Sequence, residues 1–325
     1  WEGARYTGSF LSPPPDTATS VSFFAYGDTR TYPASHDSVA SRVILDYEGE
    51  PGRQTVAVLT GDLVSDGDYE SAWDEQFFDP AYTDIQQLLR EIPCHSARGN
   101  HENTGAGFMK YFPYPFLQPC YWSFDYGPAH FVLIDQYVDY SPGSEQLTWL
   151  QNDLATSDRP WRFICLHEPG WSAGGHDNDL SVQTYIQPLC IQYGVSIVFA
   201  GHNHYYARAE VDGVQHVTTG GGGAPLYDPD EGWPNVVASA KAHHYCRIDI
   251  SGEDLSFVAV TNRGAVIDTF HLVRPGTSVA EADQDCGQIT GATIEVAGPN
   301  PGGGPFFLIF NLRHRSEVRL QVYSV

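Results

Sequence analysis

Two histidines that could bind metal follow a short apolar run late in the first two thirds of the chain. Residues 198–200 read Val-Phe-Ala, and Gly201, His202, Asn203 and His204 come next. The apolar run predicts a buried strand, and the glycine lets the backbone turn sharply where it ends. Because neutral imidazole is the commonest metal ligand in proteins, both histidines could bind one ion or two adjacent ions.

Four other apolar runs end in polar residues of the metal-binding type. The residues concerned are Asp28 after Gly27, Asp62 after Gly61, Asn100 and His101 after Gly99, and His167. Turns favour Asp and Asn for purely structural reasons, so one such strand end carries little weight. Ligand sites in open α/β sheets lie beyond the carboxyl ends of the strands. Five matching strand ends therefore predict one shared metal site.

The elements that must position these residues alternate between strand and helix over the first 200 residues. Strands are predicted at 21–26, 55–59, 92–97, 161–166 and 195–200, and helices at 35–47, 144–154 and 181–193, with a broken helix at 70–90. This alternation predicts an α/β layered fold. After His204 the predicted strands follow one another with fewer helices, which indicates a second sheet packed on the first.

Composition narrows the range of partners. The 325 residues carry a formal net charge of −23 and are 42% hydrophobic. Phosphate backbones and anionic membranes would repel such a chain, and no apolar run approaches the ~20 residues of a membrane span. Scarce Lys and Met with abundant Tyr, Trp, Pro and Gly favour an extracellular protein, and the missing initiator Met predicts a processed or trimmed chain.

Six cysteines indicate disulfides in an exported chain. They are Cys94, Cys120, Cys165, Cys190, Cys246 and Cys286, and pairing in sequence order is the simplest expectation. Buried free thiols are the alternative for Cys165 and Cys190, which lie in apolar surroundings.

The ordered motifs resemble those of the calcineurin-like metallophosphoesterases, and the stretch Tyr-Trp-Ser-Phe-Asp-Tyr-Gly at 121–127 resembles the purple-acid-phosphatase-like branch. The resemblance covers about residues 21–272. It implies a four-layer α/β/β/α sandwich of two mixed sheets flanked by helices. It also implies a phosphoric ester hydrolase, a phosphatase or phosphodiesterase, that uses a metal-bridging hydroxide as nucleophile and two ions from Fe, Zn or Mn.

The same resemblance implies a role for each strand-end residue. Asp62 would be shared by both ions. One ion would be completed by Asn100, His167 and His202, and the other by Asp28 and His204. His101 would protonate the leaving group.

The sequence departs from the family pattern at two positions. The family usually has His where this chain has Arg30, and a guanidinium offers no lone pair to a metal. One ion is therefore expected to bind weakly or to be absent. Arg30 could instead hold a phosphate oxygen and serve catalysis, or form an ordinary ion pair. His36 could supply the ligand that Arg30 cannot, or it could be a capping or surface residue.

The second departure is Ser65, which replaces the Tyr of purple acid phosphatases, so no purple colour is expected.

One loop residue and one glycine-rich segment are expected to lie near the site because of their positions in the sequence. His176, after Gly174 and Gly175, could line the substrate mouth or be a solvated loop residue. The glycine run 220–223 lacks the Lys of a phosphate-binding P-loop and is expected to be a flexible turn near the site.

Both ends of the chain predict short β-segments. Residues 1–20 read as a strand and a Pro-rich linker, 21–274 as the metallophosphoesterase domain, and 275–325 as an incomplete β-module resembling immunoglobulin-like domains. The N-terminal strand of one copy could complete the C-terminal sheet of another. Two functions follow: a secreted or cell-surface hydrolase of small phosphoesters, or a filament-forming surface protein whose activity is weakened or absent.

Overall fold

A computed structural model describes residues 7–50, 52–53, 55–114, 120–230, 232–274, 293–297, 307–311 and 317–321. Its strands are Thr7–Leu11 (β1), Ser20–Tyr26 (β2), Thr55–Leu59 (β3), Cys94–Ser96 (β4), Trp122–Tyr126 (β5), Ala129–Leu133 (β6), Trp161–Cys165 (β7), Ile197–Ala200 (β8), Tyr206–Val211 (β9), Val214–Thr219 (β10), Val236–Ala240 (β11), His244–Ser251 (β12), Asp254–Thr261 (β13), Val266–Val273 (β14), Thr293–Ala297 (β15), Phe307–Asn311 (β16) and Glu317–Gln321 (β17).

All of the described α-helices lie between the strands of the first 200 residues. They are Pro33–Gly49 (α1), Glu70–Gln76 (α2), Thr83–Glu91 (α3), Ala106–Tyr111 (α4), Glu145–Thr156 (α5) and Gln187–Tyr193 (α6). A 3-10 turn spans Asn100–Glu102, and a π-helical turn at Val182–Ile186 leads into α6. Of the described helices, none is long and apolar enough to cross a membrane.

The strands form two mixed sheets. In the first sheet the order is β14-β13-β12-β2-β3-β4, and β2, β3 and β4 run parallel. In the second sheet the order is β11-β9-β10-β8-β7-β6-β5, with β6, β7, β8 and β10 parallel. The remaining strands of both sheets join antiparallel. The carboxyl ends of the parallel strands are therefore available to carry one site.

Three apolar layers hold the sheets and helices together. Between the sheets, the ring of Phe23 lies 4.9 Å from the rings of both Phe131 and Phe163. On the outer face of the first sheet, Val39 and Val43 of α1 are fully buried. Helices α5 and α6 cover the outer face of the second sheet. The predicted four-layer α/β/β/α sandwich is confirmed.

Local sequence signals explain where several elements begin and end. The Ser144 side chain accepts a hydrogen bond of 3.2 Å from the Leu147 N–H, as the predicted cap of α5 should. The predicted broken helix at 70–90 consists of α2 and α3. Helix α4 and strand β11 were not predicted, because neither has a clear apolar period.

The five described cysteines are free thiols, so the predicted sequential pairing is wrong for them. For Cys165 and Cys190 the reason is the layer in which each one lies. Cys165 packs between the two sheets, whereas Cys190 packs on the opposite face of the second sheet, under α6. Buried free thiols at Cys165 and Cys190, the alternative, fit the structure. Cys286 lies outside the described residues.

The terminal strands pair within one chain. Strand β1 runs antiparallel to β17, from Thr7 opposite Gln321 to Leu11 opposite Glu317, and β15 pairs with β16. Pro14 is buried against Gly127 in the β5–β6 turn. The boundaries at residues 20 and 274, and strand exchange between copies, stay predictions, and much of 275–325 lies outside the described part.

The buried His130 forms ion pairs at the β5–β6–α5 corner, and these pairs should make stability depend on pH. His130 hydrogen-bonds Asp125 at 2.7 Å and Asp153 at 2.8 Å. Burial opposes the charged imidazole, but these two carboxylates outweigh it and raise the pKa of His130 to about 9. A group whose pKa rises on folding stabilises fully below its unfolded pKa, and this contribution is lost as pH climbs through the folded pKa.

We expect His130→Gln to lower the free energy of unfolding by roughly 2 kcal/mol at pH 6. The difference from wild type should shrink steadily between about pH 7 and pH 10. Urea unfolding at several pH values measures it. His271→Gln is the matched control, because His271 forms an exposed pair with Asp254. A difference that stays constant with pH would contradict the assignment.

Candidate metal centre

The strand ends deliver their polar residues through strained backbone turns. Asp28, Asp62 and His202 follow β2, β3 and β8 and have φ values of 56°, 55° and 67°. Side-chain-bearing residues rarely adopt this left-handed conformation, and it concentrates at functional sites. The space around the turn after β8 is also too small for a side chain at Gly201, because a Cβ atom there would lie 2.4 Å from Asp28 Oδ2. Only glycine fits there, which explains the Gly before the His pair.

Four donor atoms converge into what we call the cation cluster: Asp62 Oδ1, Asn100 Oδ1, His167 Nε2 and His202 Nδ1. His167 Nε2 lies 3.3 Å from Asp62 Oδ1 and 3.0 Å from Asn100 Oδ1. His202 Nδ1 lies 3.1 Å from Asn100 Oδ1 and 3.2 Å from His167 Nε2. Ligands bonded to one cation at about 2.1 Å lie about 3.0–3.4 Å apart. The cluster therefore fits a metal ion.

The histidine tautomers agree with this fit. His167 Nδ1 lies 2.7 Å from the Thr60 carbonyl oxygen, which can only accept, so Nδ1 carries a proton and Nε2 is the ring nitrogen that faces the cluster. Burial, followed by the nearby His167, lowers the pKa of His202 to about 3. Each ring therefore turns one nitrogen of the kind that metals bind into the cluster.

The local field attracts positive charge. Burial disfavours the Asp62 carboxylate, but His167, His101 and Arg30 outweigh it and lower the pKa of Asp62. Burial also disfavours the charged form of His167, yet Asp62 and Asp28 raise its pKa. Asp28, Asp62 and His167 each place one ligand atom within 4.8 Å of the others. The carboxylates thus create a negative potential that a cation would also feel.

Asp28 and His204, the predicted ligands of the other ion, lie beside the cation cluster, and Arg30 contacts both His204 and Asp62. Arg30 Nε donates to Asp62 Oδ2 at 3.2 Å, and Arg30 Nη2 lies 3.3 Å from His204 Nε2. His204 Nε2 is 3.4 Å from Asp28 Oδ1. The guanidinium therefore occupies Asp62 Oδ2 and His204 Nε2, two atoms that a second ion would need. For this reason the second position suits an ion less well than the cation cluster does.

The remaining predicted residues border the same site. His101 Nδ1 hydrogen-bonds the Ser65 carbonyl at 2.7 Å, and its Nε2 is 3.9 Å from Asp62 Oδ2. The exposed His176 lies with its ring centre 4.1 Å from that of His202. His36 is neither a ligand nor a capping or surface residue, because it is buried with its Nε2 3.3 Å from the Tyr26 hydroxyl.

The sequence alone did not single out Glu102. Its buried carboxylate accepts hydrogen bonds from the backbone N–H groups of Asp62, Leu63 and Gly99, at 3.0, 2.8 and 2.6 Å. Burial and the Asp62 charge raise the pKa of Glu102 to about 7, although the N–H donors favour the ionised form. Glu102 therefore shapes the turn that presents Asp62. The sequence signal that could have identified Glu102 is its position directly after His101.

Two more features next to the site were missed or misjudged. The ring of Tyr227 stacks on His204 at 4.3 Å between centres, and no sequence pattern marks it. The predicted flexible turn at 220–223 is buried and close-packed: a Cβ at Gly220 would lie 2.4 Å from the Asn203 carbonyl oxygen. Of these glycines, Gly220 packs directly against the Asp28 side chain.

Two mixed sheets between helices, with a carboxylate, amide and imidazole cluster beyond the strand ends, define a metallophosphoesterase fold. The family model for calcineurin-like phosphoesterases matches residues 34–206, just over half of the chain. The chain therefore belongs to the calcineurin-like phosphoesterase family. Asp28 and Arg30 precede the matched segment.

Individual relatives confirm the resemblance to purple acid phosphatases. The chain is 28% identical over 221 residues to probable purple acid phosphatase 20 of Arabidopsis thaliana, covering 62% of this chain and 48% of the relative. It spans about half the length of that curated relative. The solved structure of purple acid phosphatase PPD1 from yellow lupin (Lupinus luteus) superposes with a TM-score of 0.65 at 21% identity, covering 84% of this chain and 59% of that one.

A second solved structure of similar shape has a different description. It is GAP50, the anchor in the inner membrane complex of Plasmodium, with a TM-score of 0.64 at 18% identity. The match covers 80% of this chain and 91% of GAP50. At this identity the likeness concerns the fold alone.

We expect Glu102→Gln to weaken both the turn and the cation cluster. One carboxylate oxygen becomes an NH₂ group that faces backbone donors, which should lower the free energy of unfolding by about 1–3 kcal/mol. The affinity for Mn²⁺ should fall about 10–100-fold. Urea unfolding and calorimetric metal titration measure the two effects. Glu145→Gln, at an exposed site in α5, is the control. An unchanged Mn²⁺ affinity would exclude this positioning role.

Proposed function

We propose that the protein is a metal-dependent hydrolase of small phosphoric esters, a phosphatase or phosphodiesterase. The observation that carries the proposal is the cation cluster, whose four donor atoms lie 3.0 to 3.3 Å from their neighbours. Arg30 and His101 lie beside the same Asp62 carboxylate. The donors suit Fe, Zn or Mn.

The bound cation would supply Lewis-acid polarisation of the phosphoryl group and activation of water. Arg30 would bind the substrate, because Asp62, His204 and Thr31 use only some of its five N–H groups. Its remaining donors can bind phosphate oxygens as charge-assisted hydrogen bonds. Held by three partners, the guanidinium would need little reorganisation as negative charge builds up on the phosphoryl group.

His101 would act as the general acid. The Ser65 carbonyl holds the Nδ1 proton, so a protonated ring would donate from Nε2, the atom that lies toward Asp62. Transfer of that proton would neutralise the departing alkoxide. His176 and Tyr227 flank the histidines of the site and would contact the rest of the substrate.

The second candidate is a structural or filament-forming surface protein on the same scaffold. It is supported by the likeness of the fold to GAP50, which is described as an anchor, and by the terminal strands, which could pair between copies as β1 pairs with β17. Export and a cell-surface or extracellular location are part of both proposals, and the net charge of −23 is compatible with them. Light scattering that shows a monomer at high concentration would exclude the filament.

Hydrolysis of p-nitrophenyl phosphate, its bis-ester and an alkyl phosphate separates the two candidates. We expect activity that is lost after chelation and restored by Mn, Zn or Fe. His101→Asn should slow the alkyl ester about 100–1,000-fold. The p-nitrophenyl esters should slow much less, because their leaving group is stable as an anion.

His271→Asn, at an exposed position outside the site, is the matched control. Activity that does not need metal and does not respond to His101→Asn would contradict the proposed function. It would favour the structural protein.

A further inference from the structure

Arg30 contacts two side chains that could otherwise bind a cation, and one of these neighbours a third. Its Nε is 3.2 Å from Asp62 Oδ2, and its Nη2 is 3.3 Å from His204 Nε2. His204 Nε2 in turn is 3.4 Å from Asp28 Oδ1. The Arg30 side chain is only 16% exposed, so it belongs to the site and not to the surrounding surface.

The hydrogen-bond pattern shows that Arg30 uses the ligand lone pairs. His204 Nδ1 lies 2.7 Å from the Pro225 carbonyl oxygen, which accepts its proton. The Nε2 lone pair therefore accepts from Arg30 Nη2. The two carboxylate oxygens of Asp62 have different partners. Oδ1 faces the cation cluster and accepts a hydrogen bond of 2.9 Å from the His101 backbone N–H, whereas Oδ2 accepts one from Arg30.

Further contacts hold Arg30 in place. Its backbone N–H donates to the Asp62 carbonyl at 3.3 Å, and its Nη1 donates to the Thr31 hydroxyl at 3.2 Å. Thr31 has a φ of 74°, which fixes the chain direction just after Arg30. Because a guanidinium stays protonated at any ordinary pH, a divalent ion placed among the same three side chains would meet a fixed positive charge.

We propose that Arg30 takes the place of a second metal ion, so that the protein binds one ion per chain, in the cation cluster. Asp62 then bridges a metal ion and a guanidinium instead of two metal ions. The proposal goes beyond the proposed function, since it concerns how many ions bind and holds whether or not the protein hydrolyses phosphoesters.

Metal counting on the intact chain tests the proposal without any activity assay. The chain is stripped with a chelator, loaded with Mn²⁺, freed of excess ion, and analysed by mass spectrometry of the metal and by electron paramagnetic resonance. We expect about one Mn²⁺ per chain and the spectrum of an isolated ion. Arg30→His, which supplies a ligand in place of the charge, should bind about two ions with an exchange-coupled spectrum.

A second pair of variants keeps the test decisive if Arg30→His does not fold. His204→Ala should retain the single ion, because the partner of His204 is Arg30, and Asn100→Ala should lose it. Arg53→His is the matched control and should bind one ion. Arg53 precedes the first residue of β3, whereas the site lies beyond the last residue of that strand.

Several results would overturn the proposal. Two ions or none in wild type would do so, as would an exchange-coupled wild-type spectrum. Loss of the ion in His204→Ala, or a folded Arg30→His that still binds one ion, would also exclude it.

Discussion

The site depends on one buried carboxylate that must be neutralised on both sides. Asp62 is 1% exposed, and an ionised carboxylate withdrawn from water is costly unless positive partners and hydrogen bonds compensate it. One oxygen faces His167 and the cation cluster, and the other accepts from Arg30. Its lowered pKa reflects these partners. The arrangement of the surrounding strand ends can be understood as the means of bringing those partners to Asp62.

The scaffold meets this requirement by packing the turns that follow the strands closely against one another. Parallel strands end side by side, and the turns after them adopt left-handed conformations at Asp28, Asp62 and His202. Glycines let the turns touch: a Cβ at Gly99 would lie 2.4 Å from the Asp62 nitrogen. Glu102 joins those two turns through its hydrogen bonds. Ligands held in this way are preorganised for an ion, and the same contacts hold the Arg30 guanidinium, whose charge is permanent, against Asp62.

The sequence predicted the layers and most of the site, because apolar runs, glycines and polar strand ends are local signals. It excluded Arg30 as a ligand from chemistry alone. It could not place the guanidinium, since that position depends on His204, which is 174 residues away in the chain. Long-range packing also decided the other errors. The composition of the glycine run at 220–223 predicts a flexible turn, because composition does not reveal burial. The even cysteine count indicated disulfides, but Cys165 and Cys190 lie on opposite faces of one sheet.

The most direct test of the central claim is where a cation binds relative to Asp62. Crystals grown with Zn²⁺ and measured on both sides of the zinc absorption edge would locate each ion by anomalous scattering. The account predicts one peak about 2.0–2.3 Å from Asp62 Oδ1, Asn100 Oδ1, His167 Nε2 and His202 Nδ1, with the Arg30 guanidinium still on Asp62 Oδ2. A peak at the Arg30 position with the side chain displaced, or no peak bounded by Asp62, would contradict it.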